Sequence, residues 1–183
     1  MSLFTTNEWM LLLSARFVNV LLGALMAWVV LKAAKLLFPR RYAWMFTALV
    51  VFLPGNVILY SYVNCDALAM CSTAIIFYSW VKAYKEGWNW TTCAVSAIGM
   101  GLCFLSYYNA YGFILTTFFF FVGTMLTDQE KAPKERWKEM IQKGLFILVI
   151  VCVIALWWFI RNAILYHGDF LGREPSSACA ELY

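Results

Sequence analysis

The sequence predicts an all-α, polytopic integral membrane bundle of about six transmembrane helices, forming a single domain over residues 1–183. Three observations carry that expectation: the excess of apolar residues, their grouping into long runs, and the one-sided placement of the basic residues. Of the 183 residues, 63% are hydrophobic and 13% charged, and the mean hydropathy is +0.72. Soluble domains run at about half apolar and a quarter charged. A chain of this size cannot hide the surplus in one core, so it must face lipid.

A spanning helix needs about 20 mostly apolar residues. The first run covers about 17–37 and ends at Phe38-Pro39-Arg40-Arg41. Upstream, Thr5 and Glu8 have capping-box spacing. A helix from there to Leu37 exceeds one crossing, so its first turns are expected along the membrane surface with Trp9 as an interfacial anchor. The start Met1–Glu8 has neither a positive n-region nor a small-residue cleavage site, so no cleavable signal peptide is expected. Further spans are expected over about 42–60, loosened at its outer end by Pro54 and Gly55, and about 67–81. The stretch 88–127 would be roughly 60 Å long as one helix, so it must fold back. Tyr107–Gly112 is the turning point, giving spans at about 92–106 and 112–126. The charged segment after it predicts a cytoplasmic surface helix over about 130–143, because Trp137, Met140 and Ile141 recur at helical spacing. The last span covers about 145–166.

This layout puts eleven basic residues on one side (Lys32, Lys35, Arg40, Arg41, Lys82, Lys85 and five between 128 and 143) against Arg16, Arg161 and Arg173 on the other. By the positive-inside rule the rich side is cytoplasmic and both termini are non-cytoplasmic. The lysines are thereby explained by topology, and no nucleic-acid partner is expected. The bilayer is the expected partner and a multi-pass position in the plasma membrane the expected location. None of the six cysteines has CxxC spacing, so packing is their expected role. A disulfide between Cys65 and Cys179 would require both on the outer side. His167 is the one histidine; no metal site and no cofactor are expected.

The outer face gathers the polar chemistry: Arg16, Asn64, Asp66, Tyr108, Asn109, Arg161 and Asn162, with Glu8, Asn19, Tyr107, Tyr111, His167 and Asp169 nearby in the layout. Ionisable groups at the membrane boundary are costly and face a polar cavity or a partner. Asp66 reads either as the acidic residue of a helix N-terminus or as a ligand for a substrate hydroxyl or cation. Arg16 and Asn19 share a helix face. The arginines either snorkel to the interface or pair with Asp66 or Glu8, or they grip a phosphate. Thr73, Ser79, Ser96, Thr116 and Thr117 are the main polar residues at bilayer depth, the basis of an alternative reading as a transport or channel component. A non-catalytic assembly role is a third.

Three segments carry a resemblance: Arg16-Phe17-Val18-Asn19-Val20-Leu21-Leu22-Gly23-Ala24; Phe52-Leu53-Pro54 followed by Val63-Asn64-Cys65-Asp66-Ala67-Leu68-Ala69; and Trp157-Trp158-Phe159-Ile160-Arg161-Asn162 continuing to Leu165-Tyr166-His167-Gly168-Asp169-Phe170-Leu171-Gly172. In order and spacing they resemble the type-C membrane glycosyltransferases, specifically bacterial members related to protein mannosyltransferases. The resemblance implies hexosyl transfer from a polyprenyl-phosphate-linked sugar, at a site on the non-cytoplasmic face of the cell envelope. It implies donor contacts at Arg16, Asn64, Asp66, Tyr108, Asn109, Arg161 and Asn162. Relatives begin with one more span and an outer loop holding the catalytic acid, and often carry a lysine where this chain has Tyr107-Tyr108-Asn109. A truncated form, inactive alone, is the expectation from that difference.

Overall fold

The computed structural model describes residues 2–106, 108–127 and 133–166, with side chains from residue 9 onward. These form seven α-helices and one 3-10 turn: α1 (Ser2–Leu37), α2 (Arg40–Val51), α3 (Pro54–Ser61), α4 (Asp66–Glu86), α5 (Trp90–Phe104), the 3-10 turn Tyr108–Ala110, α6 (Tyr111–Thr127) and α7 (Pro133–Leu165). The architecture is an all-α polytopic membrane bundle. α1 from Trp9, α4, α7 and the segment Tyr108–Thr127 are each long and apolar enough to cross a bilayer, and α2 with α3 form a fifth candidate bent by 59°. Trp90–Phe104 is a shorter apolar helix.

Two expectations about helix ends need correction. α7 is one continuous helix of 33 residues, with no break between a surface helix at 130–143 and a span at 145–166. Its only candidate breaker there, Gly144, is a lone glycine that a helix tolerates. Lys143 is buried, with its ammonium held by Glu139 one turn earlier, while Trp137 and Ile141 on the same stretch are exposed. At the other terminus α1 begins at Ser2, so Thr5 stands inside the helix and not at its cap.

The α2–α3 pair breaks at the proline, and the break is repaired. Pro54 has no N–H to give to Val50, four residues back. The side chain of Asn56 supplies it, with Nδ2 donating to Val50 O at 2.7 Å. Asn56 is buried at the bend, so a carbonyl that lipid could not satisfy is satisfied internally.

Packing runs as a row. α1 lies against α4, α4 against α5 and α5 against α7, with α2 and α3 on α1 and with α6 touching α4, α5 and α7 more lightly. The row is close because small residues face inward, among them Ala67, Cys71, Ser72 and Ser79 on α4 and Cys93, Ser96 and Ala97 on α5. Lipid provides no hydrophobic drive between helices, so association rests on such close packing. A β-carbon at Gly99 would stand 2.9 Å from Ile76 Cγ1 and 3.1 Å from the Ile76 backbone nitrogen; one at Gly101 would meet Ile154 Cβ at 2.9 Å.

Indole–hydroxyl pairs tie α6 to the row. Trp80 Nε1 donates to Thr117 Oγ1 at 3.0 Å, and Trp88 Nε1 donates to Thr124 Oγ1 at 2.7 Å. Between α4 and α5 the chain turns at Gly87, whose φ of +76° suits glycine. Asn89 then caps α5, accepting from Thr92 N at 2.8 Å. Alternating helix directions collect Lys32, Lys35, Arg40, Arg41, Lys82 and Lys85 at one end of the bundle, with the start of α7. The opposite end carries the 62–66 and 105–111 turns and the close of α7.

Replacing Gly99 or Gly101 with alanine should cost about 1–3 kcal/mol by forcing α5 away from α4 or α7, whereas Gly123→Ala, with open space around it, should be nearly neutral. Thermal unfolding of the purified protein in detergent checks this; equal melting temperatures for all three variants would refute the close-packed row.

Candidate functional site

The end opposite the basic cluster is organised around one asparagine. Asn64 lies in the turn between α3 and α4 and addresses both helices. Its Nδ2 donates to Leu59 O at 2.6 Å, near the end of α3, and to Tyr62 O at 3.2 Å. Its Oδ1 accepts from Ala67 N at 2.8 Å, in the first turn of α4. Helix ends leave backbone groups without intrahelical partners, and this amide satisfies one at each end. From α1, the buried Asn19 reaches the same turn, its Nδ2 donating to Tyr62 O at 2.6 Å and Asn64 O at 3.4 Å.

Asp66 is the first residue of α4. That confirms its helix N-terminal placement, where a carboxylate suits the helix dipole. It is half-buried, and no ion pair among the described residues joins it to Arg16. Arg16 is exposed, one helical turn before Asn19. The structure brings Arg16, Asn19, Asn64 and Asp66 to one place in the fold, through the Asn19 contacts and the start of α4.

A second polar group sits where α5 turns into α6. Tyr111 donates its hydroxyl to Phe104 O at 3.0 Å, and Cys103 Sγ donates to Ala110 O at 3.3 Å, closing the turn. Tyr108 stacks edge-on against Tyr111 with centroids 6.2 Å apart; Tyr108 and Asn109 are exposed. α7 arrives beside them, Phe104 meeting Phe159 edge-to-face at 6.2 Å. One turn on, Arg161 is exposed with its guanidinium 5.3 Å from the Trp158 ring centre, while Asn162 is buried.

The seven expected site residues thus fall into two groups at one end of the bundle, one on α1 and α4 and one on the α5–α6 turn and α7. α4 and α5 stand between the helices carrying Arg16 and Arg161. Glu8 lies where side chains are not described, and Tyr107, His167, Asp169, Arg173 and Cys179 lie outside the described residues; Cys65 is exposed at the head of α4. The hydroxyls at bilayer depth turn back on their own helices: Thr73 to Met70 O, Ser79 to Ile76 O, Thr116 to Gly112 O and Thr117 to Phe113 O. Ser96 Oγ is buried without a partner. The positioning roles of Asn19, Asn56 and Tyr111 were not assigned from sequence. Asparagines inside apolar runs were the available signal, because a buried amide needs partners.

Asn64→Ala removes the partner of both helix ends and should destabilise the protein by about 1–3 kcal/mol. Asn64→Asp keeps the acceptor for Ala67 N and should cost less. Hydrogen exchange at residues 59–67 with thermal unfolding reads both; unchanged protection in Asn64→Ala would show that the turn does not depend on it.

A family model described as dolichyl-phosphate-mannose-protein mannosyltransferase matches residues 1–159, most of the chain. No curated protein and no solved structure gives a significant match. The match spans α1 to the final third of α7 and covers both turns of the polar end, and on it the chain belongs to the dolichyl-phosphate-mannose-protein mannosyltransferase family.

Proposed function

We propose that the polar end of the bundle handles a polyprenyl-phosphate-linked hexose on the non-cytoplasmic face of the plasma membrane, within a membrane glycosyltransferase-like protein. Family membership over residues 1–159 is the observation that carries this reading. The charge bias supports the sidedness, with both chain ends on the outer face. In such a transfer the bond between the sugar's anomeric carbon and the phosphate oxygen breaks, a bond to the acceptor oxygen forms, and the acceptor proton leaves to a base.

Roles follow from which side chains are already committed. Asn64 spends its amide on the backbone, so it acts by holding Asp66 at the head of α4. Asp66 is the group to accept from sugar hydroxyls. Arg161, steadied by Trp158, is the contact for the donor phosphate, since guanidinium matches phosphate oxygens bidentately. Tyr108, Asn109 and Asn162 flank it. Arg16, on the far helix of the row, borders the sugar side.

Binding of a polyprenyl phosphate to the full chain in lipid nanodiscs tests the assignment. A hydrogen bond to a charged group contributes about 1.5–3 kcal/mol, so Arg161→Ala should weaken binding about 10- to 150-fold. Asp66→Asn should leave the unglycosylated phosphate bound as before and weaken the sugar-bearing donor. Wild-type affinity for both ligands in both variants would remove these residues from the site.

A further inference from the structure

α6 and α7 part to leave an apolar cavity of about 490 Å³ against α5, running from Met140 toward Phe104 and Ile114 beside the α5–α6 turn. Its walls include Met140, Gly144 and Leu148 on α7 and Phe121 and Val122 on α6. Among the described lining residues Thr117 supplies the hydroxyl, and that oxygen is already engaged by Phe113 O and the Trp80 indole. The cavity therefore offers a hydrocarbon site and no place for a sugar. Along α7 it runs from Met140 to Val151, about 16 Å at the helical rise. On α5 and α6 the lining continues to Phe104 and Ile114, close to the polar end.

Arg136 lies one helical turn before the lining residue Met140. It precedes Met140, Gly144 and Leu148 on one face of α7 at four-residue spacing. Its Nη1 donates to Leu126 O at 2.8 Å, one turn beyond Val122, and so bridges the two walls. Its Nε is buried without a hydrogen-bond partner. An unsatisfied buried donor on a charged group is costly, and here it stands where a chain lying in the groove would end. Lys134 and Lys138 are exposed nearby. Glu135 opposes them, and Lys143 is paired with Glu139, so the described residues around Arg136 are net positive.

We infer that this groove binds an anionic phospholipid, one acyl chain lying between α6 and α7 and the phosphate held by Arg136. An apolar lining suits a phospholipid tail, and a basic residue where the groove ends between two helices suits an anionic headgroup. Arg136 lies at the end of the bundle opposite the proposed donor site, although the far end of the groove reaches Phe104 beside the α5–α6 turn; the inference does not rest on the donor site.

Native mass spectrometry of the full chain, released from detergent with added phosphatidylglycerol, phosphatidylcholine or polyprenyl phosphate, tests the inference. Phosphatidylglycerol should be retained at least 10-fold better than phosphatidylcholine. Arg136→Gln should abolish that preference and Arg136→Lys should keep most of it. Gly144→Phe, which fills the groove without touching a charge, should reduce retention of phosphatidylglycerol several-fold. Circular dichroism confirms that each variant is folded. Equal retention of the two phospholipids by the wild type, or an unchanged preference in Arg136→Gln, would overturn the proposal. So would displacement of phosphatidylglycerol by equimolar polyprenyl phosphate in wild type but not in Gly144→Phe, since the groove would then belong to an isoprenoid chain.

Discussion

The geometry of the polar end depends on the side-chain amide of Asn64. A residue with one donor group and one acceptor group can satisfy a helix C-terminus and a helix N-terminus together, and Asn64 does so for α3 and α4. Asp66 is held in place by this arrangement, because the residue that opens α4 is set by where the preceding turn ends. Asn19 then ties the turn to α1. Three helices are thus located relative to one another by two asparagines at the membrane boundary, where backbone groups cannot all rely on water.

Elsewhere the helices are held by proximity. Small residues let α4 approach α5, and Gly101 lets α7 come against α5. The two indole–hydroxyl pairs are the polar fastening that brings α6 to the row. α6 touches α4, α5 and α7 alike only lightly, and an apolar space remains between it and α7 beside the Arg136–Leu126 hydrogen bond. The polar end and the apolar groove therefore arise from one packing scheme, and they adjoin at Phe104.

Much of this was legible in the sequence. Apolar runs of spanning length marked the helices, because the bilayer demands a fixed thickness of hydrocarbon. The proline at 54 marked the bend, and Asp66 marked the start of α4. The continuity of α7 was not legible: the charged pattern of 134–143 suits a separate surface helix, and only the unbroken helix Pro133–Leu165 shows that it runs into the last apolar run. The reach of Asn19 to a turn 43 residues away was hidden for the same reason. Periodicity reports which face a residue occupies, while a long-range hydrogen bond depends on which helix stands opposite. Arg16 and Arg161 shared a side in the sequence layout, but lateral order within that side came from packing alone.

The repaired bend at Pro54 has one more meaning. A broken helix inside a membrane ordinarily exposes acceptors that attract water or a passing ion. With Asn56 supplying the missing N–H to Val50, the elbow between α2 and α3 presents hydrocarbon on its outside, in Phe52, Leu53 and Val57. Neighbouring lipids meet a change of contour there, and with Val50 O satisfied from within, the bent α2–α3 pair alters the protein's outline while keeping that carbonyl away from lipid.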